Sequence, residues 1–214
     1  MKTIIFDLDG TLLDTLEDLS AAVNVALEEK GFPLHSIREY RDMVGHGVRN
    51  LVMQALPQEK QADEALVDAC LARFTEYYTA HIDVHTRPYP GMQELMQKLH
   101  AQGFALAIAS NKFQSGTEKL VAEFFPGIPF VSILGNRPGY PLKPDPEIVE
   151  EVLRKAHSQP EDAVMVGDSA TDMKTAANGG IHGIAVSWGY RSLPPSDAYR
   201  LVTSARELEQ ALGL

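Results

Sequence analysis

The fold of this chain is decided by a stretch near its start, Thr3-Ile4-Ile5-Phe6-Asp7-Leu8-Asp9-Gly10-Thr11. Its apolar part, residues 3–6, is typical of a buried central strand. Two carboxylates follow where the strand ends, and a glycine then turns the chain. Open α/β sheets bind their ligands at this position, outside the carboxyl ends of the strands. The stretch therefore predicts a central strand with a ligand site at its end.

The two acids of this stretch, Asp7 and Asp9, are separated by one residue. Two carboxylates side by side in a protein interior are costly, and a divalent cation or a division of roles between them removes that cost. The alternative is a strand end with an ordinary Asx turn. The pattern is expected by chance in roughly one chain of this length in several hundred, which favours the functional interpretation.

Composition narrows the class of protein. The chain has 214 residues, 44% of them hydrophobic, and a formal net charge of −10. That hydrophobic content is enough for a full core and too high for a disordered chain. The negative balance argues against nonspecific binding of nucleic acids and against anchoring on anionic membranes. A small phosphorylated metabolite as the partner would therefore have to be attracted locally, by a cation and a few basic side chains, rather than by the overall charge.

The expected location is the cytoplasm. The single cysteine, Cys70, cannot form an internal disulfide, which fits a reducing compartment. Asp7 interrupts the first apolar stretch too early for a signal peptide. No apolar run is long enough to span a bilayer. The sequence leaves a monomer and a homodimer equally open.

A helical block follows the first strand. From residue 16 to about residue 82 the apolar residues recur with the helical period, in four stripes. These stripes cover residues 16–27, 37–44, 48–56 and 66–82. Four amphipathic helices in so short a segment can pack as a small bundle.

The rest of the chain alternates between strands and helices. Strands are predicted at residues 104–109, 130–134, 163–166 and 181–186, each separated from the next by a helical stripe. Alternating βα units predict an α/β fold, a Rossmann-like, doubly wound and mostly parallel sheet that the first strand must rejoin. The predicted division is an α/β core of residues 1–14 and 86–214, with an inserted helical cap domain of residues 15–85.

Polar residues follow the first four predicted strands of the core. Asp7 and Asp9 end the first, Ser110-Asn111-Lys112 the second, and Asp168 to Asp172 a fourth, while Lys143 lies in the loop after the third. Parallel strands end at one edge, so these groups can meet there. Acids that bind Mg²⁺, a lysine and a hydroxyl for phosphate oxygens, and a carboxylate nucleophile together suit phosphoryl transfer. Taken singly, Asp168 and Asp172 could merely cap a helix.

These four motifs resemble those of the haloacid dehalogenase superfamily, and the helical block resembles its inserted cap. Within that superfamily, residues 45–52 and 187–192 resemble the phosphoglycolate phosphatase group. The resemblance implies a magnesium-dependent phosphatase that forms an aspartyl-phosphate, with 2-phosphoglycolate as the expected substrate. The segments 136–141 and 178–180 depart from the family pattern, and the first could alter the mouth of the substrate site.

The resemblance also implies a role for each motif residue. Asp7 would be the nucleophile and a metal ligand, and Asp9 the general acid and base, which binds the metal through its backbone carbonyl. Asp168 would complete the Mg²⁺ site with support from Asp172. The residues expected to hold the phosphoryl group are Ser110, Lys143, Gly10, Thr11 and Asn111.

Two residues of the helical block are candidate substrate readers. His46 and Arg49 lie beside two glycines, Gly45 and Gly47, and an arginine there could clamp a carboxylate with two hydrogen bonds. The alternative is an arginine that faces solvent at the start of a helix.

Other functions stay open at this point. A phosphomutase of the β-phosphoglucomutase kind shares the fold and motifs, as does a phosphatase for another sugar phosphate, a nucleotide or pyrophosphate. A phosphonoacetaldehyde hydrolase needs a cap lysine, and no lysine lies between Gly31 and Gln58. A metal-binding regulatory protein without turnover is disfavoured, because all four motifs are intact.

Overall fold

The computed structural model describes residues 2–214. Its elements in chain order are β1 (Thr3–Phe6), β2 (Leu13–Asp14), α1 (Leu16–Glu29), α2 (Ile37–Met43), α3 (Val48–Ala55), α4 (Glu64–His81), β3 (Arg87–Pro88), α5 (Met92–Ala101), β4 (Ala105–Phe113), α6 (Gln114–Phe124), β5 (Ser132–Asn136), α7 (Glu147–Ala156), β6 (Ala163–Gly167), α8 (Ala170–Asn178), β7 (His182–Val186), β8 (Arg200–Val202) and α9 (Ala205–Leu212). Short 3-10 turns occupy Gln58–Lys60 and Pro160–Asp162.

The main sheet has six strands in the order β5-β4-β1-β6-β7-β8. Every neighbouring pair is parallel, so the predicted parallel sheet is confirmed. β1 lies inside the sheet between β4 and β6, as its continuous apolar run requires. β8 was not predicted, because its Arg-Leu-Val sequence is too short to show a period.

Helices cover both faces of the sheet. Ile5 packs in a cluster with residues of α7 and α8. Ile4 and Phe6 point to the other face and pack in the cluster that contains residues of α5, α6 and α9. Alternate residues of one strand thus serve two separate layers, each buried isoleucine or phenylalanine contributing about 1.5–3 kcal/mol. The predicted doubly wound fold is confirmed.

The helical insertion, defined here as residues 15–85, contains α1 to α4. All four helical stripes of the sequence form helices, and α4 starts slightly earlier than its stripe. The two ends of the insertion lie side by side, because β2 and β3 pair antiparallel, Leu13 with Pro88 and Asp14 with Arg87. The division into two domains at these positions stays a prediction. None of the helices described within residues 2–214 is long and apolar enough to cross a membrane.

A buried carboxylate joins the first and last segments of the insertion. Asp18 in α1 is 3% exposed. Its oxygens accept hydrogen bonds from the backbone N–H of His85 at 2.9 and 3.0 Å, and from the backbone N–H and the hydroxyl of Thr86, each at 2.8 Å. A carboxylate is an acceptor only, so it satisfies these donors without a competing N–H. Asp18 therefore fixes the chain where it leaves the insertion.

We expect Asp18→Asn to lower the free energy of unfolding by about 2 kcal/mol, because an amide N–H would face the donors of Thr86. Urea unfolding followed by circular dichroism measures the change. The matched control is Glu17→Gln, since the Glu17 side chain is 56% exposed and its carboxylate lies 3.4 Å from the exposed His85 ring. Equal midpoints for both variants would contradict the assigned role of Asp18.

Candidate active site

A cavity of about 50 Å³ lies where the carboxyl ends of β1, β4 and β6 face the helical insertion. Its core side is formed by Asp7, Asp9, Ser110, Asn111, Lys112, Lys143, Asp168, Ser169, Thr171, Asp172, Tyr190 and Arg191. Its insertion side is formed by Leu19, Val44, Gly45, Gly47, Val48 and Leu51. The insertion thus contributes apolar side chains and glycines to the pocket, and the charged groups come from the core.

The turn after β1 brings two strand ends together. Gly10 has φ +86°, a conformation that disfavours any side chain. A Cβ atom at this position would lie 2.5 Å from Oδ2 of Asp168. Gly10 therefore allows the β1 turn to approach the end of β6, which places Asp7 beside Asp168. Gly10 itself does not line the cavity.

Lys143 is the cation at the centre of the acids. Its Nζ donates to Oδ1 of Asp7 at 2.8 Å, to Oδ1 of Asp172 at 2.7 Å and to the carbonyl of Ala109 at 2.8 Å. The side chains of Lys143 and Asp172 are 3% and 1% exposed. The two carboxylates raise the pKa of Lys143 against the opposite effect of its burial. Lys143 is therefore held as an ammonium ion.

One ammonium does not balance the buried acids. Oxygens of Asp7, Asp168 and Asp172 lie within 4.8 Å of one another. Burial raises the pKa of Asp168 to about 7, with a further contribution from the charge of Asp172. Burial, opposed by Lys143, also raises the pKa of Asp7 well above its usual range. Three hard oxygen donors beside a single cation leave the cluster short of positive charge.

A divalent cation fits this donor set. Carboxylate oxygens are the ligands that Mg²⁺ and Ca²⁺ prefer, and a bound ion would hold the three acids ionised. Both oxygens of Asp172 already accept hydrogen bonds, Oδ1 from Lys143 and Oδ2 from Ser169. This agrees with a supporting role for Asp172 and leaves Asp7 and Asp168 as the better placed ligands.

Asp168 is held by the segment after β7. The backbone N–H of Tyr190 donates to its Oδ2 at 2.7 Å. The hydroxyl of the same tyrosine accepts from the backbone N–H of Thr15 at 2.6 Å, at the start of the insertion. Tyr190 thus connects the β6 carboxylate to the junction with the helical insertion. It lies in the segment 187–192, which the sequence interpretation noted only as a family resemblance.

Asp9 has partners different from those of Asp7. Its Oδ1 accepts from the Thr15 hydroxyl at 2.7 Å and from Nζ of Lys112 at 3.1 Å. The same Nζ donates to the hydroxyl of Tyr78 in α4 at 2.7 Å. The sequence interpretation gave no role to Lys112 or Tyr78. Lys112 lies in the motif Ser110-Asn111-Lys112. Nothing in the sequence distinguishes Tyr78, because it recurs at the helical spacing of the buried residues in its stripe.

Ser110 and Asn111 lie in the last part of β4, within a register irregularity between Ala109 and Phe113. The predicted strand, residues 104–109, therefore ends too early. The Ser110 hydroxyl accepts from the backbone N–H of Lys112 at 3.2 Å and lines the cavity, so its own proton can bond a phosphoryl oxygen. The Asn111 side chain instead bonds the backbone of Lys143 at 2.8 and 3.1 Å. Asn111 therefore positions the lysine loop.

The Thr11 hydroxyl is buried away from the cavity without a partner among the described residues.

The structure does not bring His46 and Arg49 to the pocket. Arg49 donates to Asp68 at 2.8 Å and to Glu64 at 3.1 Å on the outer surface of the insertion. His46 is exposed, although the glycines on either side of it line the cavity. Arg49 is turned away from the cavity because α4 offers it two acids that its sequence spacing did not reveal. A role of these two side chains in reading the substrate stays a prediction.

The pocket is closed by contacts between the insertion and the core. Arg191 donates to the carbonyls of Asp42 at 2.7 Å and Val44 at 2.9 Å, and to the Asp42 carboxylate at 3.1 Å. Arg41 donates to the carbonyl of Gly189 at 2.8 Å. The side chain of Asn111 also donates to the carbonyl of Gly45 at 3.1 Å. These hydrogen bonds hold the loop between α2 and α3 over the strand ends.

Comparison with known proteins identifies the family of the chain. Residues 4–186 match the family model described as haloacid dehalogenase-like hydrolase. A phosphoglycolate phosphatase of Mesorhizobium japonicum is 37% identical over 87% of this chain and 83% of its own length. One of Vibrio vulnificus is 34% identical over 100% and 96%. A crystal structure from Lactobacillus delbrueckii subsp. bulgaricus, assigned by inference as a phosphoglycolate phosphatase, has a TM-score of 0.89, 33% identity and 99% coverage of both chains.

We expect a divalent cation at 100 times its dissociation constant to stabilise the folded chain by about 2.7 kcal/mol, because it neutralises the acid cluster. For a chain of this size that corresponds to about 5–10 °C in Tm. Differential scanning calorimetry with MgCl₂, against NaCl at equal ionic strength, measures the shift. Asp168→Asn should abolish the shift, and the exposed Asp162→Asn should keep it. A shift that survives in Asp168→Asn would contradict the assigned site.

Proposed function

Because this chain belongs to the haloacid dehalogenase-like hydrolase family and is a phosphoric monoester hydrolase, we propose that it hydrolyses 2-phosphoglycolate with Mg²⁺ through a phosphorylated Asp7. The observation that carries the proposal is the convergence of Asp7, Asp9, Lys143 and Asp168 on one small pocket. A cytoplasmic location, and a monomer or homodimer, stay predictions.

Asp7 is the nucleophile in this proposal. Lys143 and the Ser110 hydroxyl bind oxygens of the phosphoryl group, and a carboxylate oxygen of Asp7 attacks phosphorus. The bond between phosphorus and the ester oxygen breaks as the new bond forms. Asp9, which enters this step protonated, gives its proton to that oxygen, so the alcohol leaves neutral. The ammonium of Lys143, already 2.8 Å from Asp7, is placed to balance the charge of the phosphoryl oxygens.

The second step returns Asp7 to its free form. Asp9, now ionised, takes a proton from a water molecule that attacks the phosphorus of the aspartyl-phosphate. The bond to Asp7 breaks, and inorganic phosphate leaves. The bonds to Thr15 and Lys112 keep the Asp9 carboxylate beside the pocket for both proton transfers.

Mg²⁺, held by Asp7, Asp168 and the backbone carbonyl of Asp9 with support from Asp172, would supply positive charge to the phosphoryl oxygens. The raised pKa values of Asp7 and Asp168 support this assignment, because buried acids in this state need a cation to stay ionised. The hard oxygen donors favour Mg²⁺ over softer metals.

The size and charge of the pocket support a small substrate. A cavity of about 50 Å³ has room for only a few water molecules, which suits a short ester better than a nucleotide. The names of the relatives point the same way, since both curated proteins described above are phosphoglycolate phosphatases.

We expect Asp7→Asn to lower kcat by at least about 10⁴-fold, because an amide is a poor nucleophile and cannot form the acyl phosphate. Phosphate release from 2-phosphoglycolate measures the loss. Asp162→Asn, an exposed acid removed from the pocket, is the matched control and should keep wild-type kcat. Residual activity of Asp7→Asn above one-tenth of the wild type would refute a phosphorylated Asp7.

Among small phosphate esters, 2-phosphoglycolate should give the highest kcat/KM, and EDTA should abolish turnover until Mg²⁺ is restored. A panel of sugar phosphates, nucleotides and pyrophosphate, ranked by kcat/KM, tests the substrate. Isomerisation of β-glucose 1-phosphate, with little phosphate released, would identify a phosphomutase instead and contradict the proposed reaction.

A further inference from the structure

The geometry points to Lys112 as the residue that reads the carboxylate of the substrate, by exchanging part of its ion pair with Asp9 for an ion pair with the leaving group. This inference rests on the proposed function and adds the determinant of specificity. It replaces the two insertion residues that the sequence suggested for this role.

Lys112 is a buried cation at the wall of the pocket. Its side chain is 1% exposed. Nζ lies 2.7 Å from the hydroxyl of Tyr78, 3.1 Å from Oδ1 of Asp9 and 3.3 Å from Oδ2 of the same carboxylate. It also lies 4.6 Å from the centre of the Tyr78 ring. The ammonium is thus anchored by the insertion on one side and faces the pocket acid on the other.

The contact with Asp9 is loose for an ion pair. Bonds between an ammonium and a carboxylate are commonly about 2.7–2.9 Å long, whereas those from Lys112 to the two oxygens of Asp9 are 3.1 and 3.3 Å. An ammonium has three N–H donors. One of the two N–H groups that point at Asp9 can therefore donate to another anion while the hydrogen bond to Tyr78 is kept.

The substrate carboxylate fits the position of this cation. Asp9 must come within hydrogen-bond distance of the ester oxygen to protonate it. In 2-phosphoglycolate only one methylene carbon separates that oxygen from the carboxylate. A group in contact with Asp9 is therefore within reach of the carboxylate as well. Lys112 holds this position.

The other cations near the pocket are committed elsewhere. Lys143 bonds Asp7 and Asp172 on the pocket floor. Arg191 bonds two backbone carbonyls and a carboxylate of the insertion. Arg49 is paired with Glu64 and Asp68 away from the cavity. The insertion side of the cavity carries no charged side chain among its described lining residues.

The consequence is a preference for anionic leaving groups. A substrate with a carboxylate pairs with the buried ammonium of Lys112, where such a contact is stronger than in water. A substrate with a neutral group in place of the carboxylate leaves Lys112 paired with Asp9 and gains no binding energy from Lys112. Truncating one partner of a desolvated charge pair commonly costs 2–5 kcal/mol, which corresponds to a selectivity of about 30-fold or more.

The experiment compares 2-phosphoglycolate with 2-hydroxyethyl phosphate, which has a hydroxyl in place of the carboxylate. The full-length wild type, Lys112→Met and Lys98→Met are assayed with both esters in the presence of Mg²⁺. Lys98 is the matched control, because its side chain is 54% exposed and pairs with Glu209 on the surface. The measured quantity is the ratio of kcat/KM for the two esters.

We expect the wild type and Lys98→Met to favour 2-phosphoglycolate by about 30-fold or more, and Lys112→Met to lose most of that ratio through a raised KM for 2-phosphoglycolate. Tyr78→Phe retains the ammonium and most of the packing and is the second variant should Lys112→Met fold poorly. It removes one hydrogen bond from Lys112, and the ratio should fall about five-fold.

Each other outcome has one meaning. An equal loss on both esters in Lys112→Met would show that Lys112 only holds Asp9, and would overturn the inference while the proposed function stands. A ratio that survives Lys112→Met and falls in Arg191→Gln would transfer the role to Arg191 and also overturn it. A wild type without preference for the carboxylate ester would refute the proposed substrate itself, before any variant is considered.

Discussion

The site depends on the electrostatic balance around Lys143. Its ammonium contacts Asp7, which follows β1, and Asp172 in α8, and Asp168, which follows β6, lies beside them. Without that ammonium the three acids would repel one another in a region that water hardly reaches. With it, the acids still lack positive charge, and their oxygens are suited to a metal ion. Structural stability and reactivity thus have one origin, since the same charges hold the strand ends together and prepare them for phosphate.

The helical insertion acts through shape where it meets the pocket. It contributes apolar residues and two glycines to the cavity wall. Its polar contacts with the core lie around the cavity, where Arg191 and Arg41 bond backbone carbonyls across the boundary. By covering the strand ends, the insertion strengthens the electrostatic interactions among the charged groups of the core, and among its described residues it adds no charged side chain to the cavity wall. Tyr78 and Thr15 are exceptions among its polar contacts, because Tyr78 contacts Lys112 from α4 and the Thr15 hydroxyl donates to Asp9.

The sequence predicts the structure correctly where the residue types and the apolar periodicity indicate the same element. The strand of residues 3–6, the parallel sheet and the four helical stripes follow from apolar periodicity, and the structure has them all. Asp7, Lys143, Asp168 and Asp172 were placed together because parallel strands end at one edge. The contacts of Lys112 and Arg49 could not be foreseen, since each depends on which acid or hydroxyl a distant helix presents. Tyr78 recurs at the spacing of the buried residues of α4, and only its hydroxyl distinguishes it from an apolar core residue.

The apolar wall of the pocket has a consequence for evolution. Val48 and Leu51 of α3 line the cavity, yet they belong to a helix that holds none of the reacting groups. An exchange at either position changes the room above the phosphate while the acids and the lysine keep their places. New substrate preferences can therefore arise in this scaffold by single substitutions, at little risk to the reaction itself.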